Sequence, residues 1–206
     1  MTPIEGLYAI TDPTVGDPVE QARAALAGGA KIVQYRHKSA KFNVLYRNAL
    51  MIKELCARHH ALFVINDRPG IAWAVESPAI HLGQEDMPIE LARRLLPNAL
   101  VGISCDNLDE ALAASERGAD YVAIGPIFGT ATKPDAGPLV GLEGLRQIVS
   151  RIDKPVVAIG GIHLGNIAEV ARTGAAAAAV VSAVCQATDP VQATIDLVRA
   201  WNDARS

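Results

Sequence analysis

Eight short apolar runs, each followed by an amphipathic stretch, repeat along this chain, and no other feature constrains its fold as much. The runs are LYAIT (7–11), KIVQYR (31–36), ALFVIND (61–67), AIHLG (79–83), ALVGISC (99–105), DYVAIGPI (120–127), PVVAIGG (155–161) and AAAAVVSAV (176–184). Most are continuous rather than alternating, as parallel strands covered on both faces require. The stretches between them carry the helical period. In PVEQARAALAGG (18–29), Val19, Ala22 and Leu26 share one stripe that stops at a glycine pair. KFNVLYRNALMIKELCARHH (41–60) is the longest such stretch, and RPGIAWAVES is the least regular, with Pro and Gly early in it. In PIELARRLLP, Pro88 suits a first helical turn. NLDEALAASERG and NIAEVARTG begin at Asn107 and Asn166, a residue type that caps helix starts. GLEGLRQIVSRI and DPVQATIDLVRAWNDA complete the set. Eight β units, each followed by a helix, predict an α/β fold: a closed (β/α)8 barrel of the TIM type, one domain over residues 1–206. An open doubly wound sheet is the alternative. Against it, the first turn lacks the G-x-G-x-x-G fingerprint.

Composition bounds the function. With 206 residues, 50% of them hydrophobic, the chain can bury a core without staples. A net charge of −3 provides no basic field for nucleic acid or an anionic membrane surface. The three cysteines, Cys56, Cys105 and Cys185, form neither a zinc pattern nor a disulfide framework and fit a reducing compartment. The first residues do not read as a secretory leader and no apolar run reaches membrane length, so a cytoplasmic protein is expected.

In such barrels the chemistry sits at the C-terminal ends of the strands, and the polar residues of this chain gather there. The second run leaves as Gln34, Arg36, His37, Lys38; the third as Asn66, Asp67, Arg68; the fourth as Gln84, Glu85, Asp86. The fifth supplies Ser104, the seventh Gly160 and Gly161, the eighth Ser182. After the sixth comes GPIFGTATKPDAGP (125–138), a loop of small residues carrying Thr130, Thr132 and Lys133. Arg36, Lys38 and Lys133 could share one highly charged anion. Asp67 and Asp86, on neighbouring strand ends, suit Mg2+, which takes one or two carboxylates plus phosphate oxygens. Asp67 suits equally a helix N-cap. The Gly160–Gly161 pair and Ser182 fall where barrels often bind phosphate through backbone N–H groups. Two anion sites imply two phosphorylated small-molecule substrates, or one with two ends. No Ser/His/Asp or Cys/His set is recognisable; His59, His60 and His81 read as structural or exposed.

The ordered segments LYAITD, QYRHK, VINDR, HLGQEDM, GISC, GADYVAIGPIFGTATKP, AIGGI and VVSAV together resemble the thiamine-phosphate synthase family over nearly the whole chain. The resemblance implies a Mg2+-dependent transferase that joins 4-amino-2-methyl-5-pyrimidinylmethyl diphosphate to a thiazole phosphate, releasing pyrophosphate. It implies pyrimidine diphosphate binding by Gln34, Tyr35, Arg36, His37, Lys38, Asn66, Ser104 and Lys133, of which Arg36, Lys38, Ser104 and Lys133 would be catalytic. Thiazole phosphate would fall to Thr130, Ala131, Thr132, Gly161, Val181 and Ser182, and Mg2+ to Asp67 and Asp86. Three positions depart from the family's usual pattern: His37 stands in place of an acid, Gly129 in place of a proline, and ESPA (76–79) in place of a Gly-Ala-Asp turn. A thiazole tautomerase-like paralogue, a non-catalytic thiazole-phosphate-binding regulator and a sugar-phosphate isomerase share the barrel and stand as alternatives. A homo-oligomer is compatible with all of these readings.

Overall fold

The computed structural model describes residues 4–129 and 138–206. The strands are β1 (Gly6–Ile10), β2 (Ile32–Tyr35), β3 (Leu62–Asn66), β4 (Ala79–Leu82), β5 (Leu100–Cys105), β6 (Tyr121–Ile124), β7 (Val156–Ile159) and β8 (Ala177–Val180). All pair in parallel, in sequence order, and β8 closes on β1 through Gly6 opposite Ala177 and Ala9 opposite Val180. The expected (β/α)8 barrel is therefore the observed one. Helices α1 (Pro18–Ala27), α2 (Phe42–Arg58), α3 (Pro69–Ala74), α4 (Ile89–Leu95), α5 (Leu108–Glu116), α6 (Gly141–Arg151) and α7 (Ile167–Ala171) follow the first seven strands. After β8 come a short α8 (Ser182–Cys185) and then α9 (Pro190–Asp203). Among the described residues no helix is long and apolar enough to cross a membrane.

Alternation along each strand sorts the core into two layers. Tyr8, Ile10, Ile32, Leu62, Val64, Tyr121 and Val157 fill the barrel interior, while Leu7, Val33, Phe63, Ile80, Val122 and their neighbours pack under the helices. The two interior tyrosines fit because Ala79, Ala123, Ala177 and Ala179 around them are small. Gly102 makes the tightest allowance. A Cβ built there would lie 2.0 Å from Cζ of Tyr121, a ring that is fully buried. Gly102→Ala must therefore displace that ring, and we expect a loss of about 1–3 kcal/mol. Urea unfolding checks this; an unchanged midpoint would mean the interior yields more easily than its packing indicates.

Several local details differ from the sequence-based expectations. The run 176–184 splits, because the chain leaves the sheet after Val180 and Ser182 opens α8. Pro88 caps α4 from outside rather than entering its first turn. Asn107 does cap α5, accepting from the Glu110 N–H at 2.9 Å. Asn166 makes no such bond at the start of α7. In the ESPA turn, Glu76 takes φ +50°, a conformation that side chains adopt rarely. Ser77 offsets the tightness there by donating to the Ala79 carbonyl at 2.7 Å.

Candidate active site

The C-terminal ends of the strands surround a cavity of about 670 Å3, within the range of sites that enclose small molecules. Arg36 and Lys38 enter from the end of β2, Asn66 and Asp67 from β3, Gln84 and Asp86 from the loop after β4, and Ser104 from β5. The Arg36 backbone is anchored by the neighbouring strand: its N–H donates to Thr11 Oγ1 at 3.1 Å, and the Thr11 N–H donates to the Gln34 carbonyl at 3.0 Å.

Asp67 and Asp86 form the acidic wall. Asp67 does not cap α3, whose N-cap is Arg68. It instead sits at φ +54°, a left-handed conformation that a non-glycine residue holds only where its surroundings impose it. Its carboxyl is pushed up to about 6, first by burial and then by the adjacent Asp86, with Asn66 and Arg36 pulling the other way. Asp86 is fixed by its own loop, Oδ2 accepting from the Gly83 N–H at 2.8 Å. Two crowded carboxylates, one of them half-buried, are a ready place for a hard cation. Among the described residues no third acidic, histidine or cysteine side chain joins them.

The opposite wall is backbone. Gly160 and Gly161 follow β7 with φ +101° and +64°, so both need glycine's freedom. Each also lies against the β6 loop: a Cβ on Gly161 would be 2.6 Å from the Gly129 carbonyl oxygen. Asn166 holds this turn, its Nδ2 donating to the Gly161 carbonyl at 2.9 Å while its Oδ1 accepts from the His163 N–H at 2.8 Å. Val181 and Ser182 line the cavity beside it. The first intrahelical bond of α8 runs from the Val184 N–H to the Val181 carbonyl, so the N–H groups of Ser182 and Ala183 precede it.

A polar chain crosses the barrel beneath these walls. Gln34 Nε2 donates to the Tyr8 hydroxyl at 2.7 Å, and the Tyr8 and Tyr121 hydroxyls are 3.2 Å apart. Nδ1 of His81 lies 3.0 Å from the Tyr121 hydroxyl, and its Nε2 lies 2.9 Å from Ser104 Oγ. Burial pushes the His81 imidazole down to about 4, so it is neutral at physiological pH.

With this arrangement in view, comparison with known proteins decides the family. The model of the family described as thiamine monophosphate synthase matches residues 7–184. The chain belongs to that family. It is an enzyme of the transferase class. The chain is 46% identical over 194 residues to the thiamine-phosphate synthase of Chloroflexus aurantiacus, covering 93% of this chain and 90% of that one. Identity to the thiamine-phosphate synthase of Pyrococcus furiosus is also 46%, over 191 residues, 93% of this chain and 92% of the relative. A solved thiamine phosphate pyrophosphorylase from Pyrococcus furiosus superposes with a TM-score of 0.93 at 41% identity, covering 98% of each chain.

The structure brings most of the residues that the family resemblance implied around one mouth: Gln34, Arg36, Lys38, Asn66, Asp67, Asp86, Ser104, Gly161, Val181 and Ser182 all line it. Two do not. The Tyr35 side chain faces away from the barrel axis, buried in the layer under the helices, because it alternates with the inward Gln34. His37 turns to its own loop, its Nδ1 accepting from the Ala40 N–H at 3.2 Å. Thr130, Ala131, Thr132 and Lys133 lie outside the described residues. Sequence reasoning missed Tyr8, Tyr121 and Asn166, and took His81 for a structural or exposed residue. Inward parity on the strands marks Tyr8, His81 and Tyr121 once the barrel is assigned.

Proposed function

We propose that this family member couples 4-amino-2-methyl-5-pyrimidinylmethyl diphosphate with a thiazole phosphate to form thiamine phosphate and pyrophosphate. The observation that carries the reading is the division of one mouth into two anion-compatible walls above a hydrogen-bonding floor. Arg36 and Lys38 beside the Asp67–Asp86 pair form one wall; the Gly160–Gly161 turn and the start of α8 form the other.

On this reading the Arg36 and Lys38 cations hold the diphosphate, and Gln34 and Ser104 orient the pyrimidine. The carbon–oxygen bond to the diphosphate breaks with its electron pair leaving on oxygen. The thiazole nitrogen lone pair then forms the new carbon–nitrogen bond. That nitrogen carries no proton to remove, so the residues need only place the two substrates and stabilise charge. The hard oxygens and crowding of Asp67 and Asp86 fit Mg2+, which when bound neutralises negative charge on phosphate oxygens.

Incubation with both substrates and Mg2+ tests the reading: pyrophosphate and thiamine phosphate should appear in equal amounts and only when both substrates are present. Pyrophosphate released from the pyrimidine diphosphate alone, or no release at all, would overturn it. The two walls make a separate prediction. Gly161→Val forces a β-branched side chain into a left-handed turn against Gly129. The apparent KM for thiazole phosphate should rise on the order of tenfold or more, with the pyrimidine diphosphate KM little changed. Equal effects in steady-state kinetics would contradict two separate anion walls.

A further inference from the structure

The orientation of the Gln34 amide sets a direction for the floor network, and proton counting follows it along the chain. A phenol donates once and accepts on the same oxygen. With Gln34 Nε2 donating to Tyr8, the Tyr8 hydrogen is left for the Tyr121 oxygen, and the Tyr121 hydrogen for His81 Nδ1. A neutral imidazole that accepts at Nδ1 carries its proton at Nε2. Nε2 then donates to Ser104 Oγ, which leaves the serine's own hydrogen free to point into the cavity. At the far end, Gln34 has committed an N–H to Tyr8 and keeps its carbonyl oxygen for a ligand.

We propose that Tyr8, Tyr121 and His81 are positioning residues that polarise the two ends of the floor in opposite senses, Ser104 as hydrogen donor and Gln34 as acceptor. The ligand this fits is a heterocycle with an amino donor over Gln34 and an acceptor atom at Ser104; this assignment rests on the synthase reading above. The two ends are coupled. If the Gln34 amide turned over, every bond in the chain would have to reverse, His81 would switch tautomer, and Ser104 would become an acceptor. The fold invests in the chain's centre: Gly102 is bare so that the Tyr121 ring can sit between Tyr8 and His81, stacked at 5.5 Å on the imidazole. Tyr121 does not line the cavity. It can act on a ligand only through its neighbours.

The test begins with the full chain and no substrate. Long-range 15N–1H NMR of the histidine rings should show His81 neutral, with Nδ1 bare and the proton on Nε2, near neutral pH. A proton on Nδ1, or a mixture of tautomers, overturns the proposal whatever reaction the enzyme performs. Tyr121→Phe removes one oxygen and cuts the chain in the middle. In that variant the His81 tautomer preference should be lost, and kcat/KM for the pyrimidine diphosphate should fall on the order of tenfold to a hundredfold. The KM for thiazole phosphate should stay where it was. An unmoved tautomer overturns the proposal, as do equal losses for both substrates, which would mark general damage. If the wild-type protein shows the expected tautomer but couples no substrates, the synthase reading fails and the polarised floor stands.

Discussion

Asp67→Asn should lower kcat/KM for the pyrimidine diphosphate on the order of a hundredfold or more, beyond the 10–100-fold typical of outer partners of a metal site. The same substitution should change how stability depends on pH and Mg2+. In the metal-free fold the Asp67 carboxyl rises from 3.8 to about 6, through burial first and the neighbouring Asp86 second. A group raised on folding contributes stability that is complete below its unfolded value and disappears as pH climbs through its folded value. Asp67 should therefore contribute stability that is lost as pH rises from about 4 through about 6, a slope opposed in the same window by His81, whose imidazole is lowered from 6.5 to about 4. Above that range the carboxylate is charged and ready for a cation; below it a proton competes. Added Mg2+ should raise Tm more at neutral pH than at pH 5, in proportion to the logarithm of its concentration over its dissociation constant. In Asp67→Asn both the pH slope assigned to this group and most of the Mg2+ effect should vanish. Thermal unfolding with Mg2+ or chelator, on either side of pH 6, makes the comparison. A variant that keeps the full Mg2+ response at neutral pH would remove Asp67 from the cation site.

How much of this was legible in the sequence follows from which physical signals a linear pattern can carry. The barrel was, because each strand is a short apolar run and each helix has a periodic stripe, and these signals are local. The break between β8 and α8 was not, because VSAV (181–184) is as apolar as the strand it follows and periodicity cannot distinguish a four-residue turn of helix from more sheet. The strand-end residues were found because a rule about barrels says where to look; that rule says nothing about side-chain direction, and so Tyr35 was included although it faces outward. Asn166 reads as a helix cap from its place before an apolar stripe, yet its amide holds Gly161 instead. The floor network depends on inward positions of β1, β2, β4, β5 and β6 meeting at the axis. Only the closed barrel brings Tyr8 to within 3.2 Å of Tyr121, and no single stretch of sequence contains that contact.

The loop between β6 and α6 supplies the second large effect. Lys133 lies outside the described residues, and its assignment to the diphosphate rests on the T-x-T-K pattern of the family. If the carbon–oxygen bond breaks ahead of attack, negative charge grows on the departing diphosphate in the transition state. A cation directed at that oxygen stabilises the transition state more than the bound substrate, so its loss falls on kcat. Lys133→Ala should lower kcat on the order of 10²–10³-fold. Substrate affinity should change little, because Arg36 and Lys38 at the end of β2 still hold the ground state. Lys133→Arg should recover only part of the rate, since a planar fork replaces a compact point charge on a flexible stem. Single-turnover kinetics with both substrates saturating separate the bond-breaking step from product release and show where the loss falls. A near-normal rate in Lys133→Ala would mean that the charge on the leaving group is stabilised entirely from the β2–β4 side, and the lysine would then be an ordinary solvated residue.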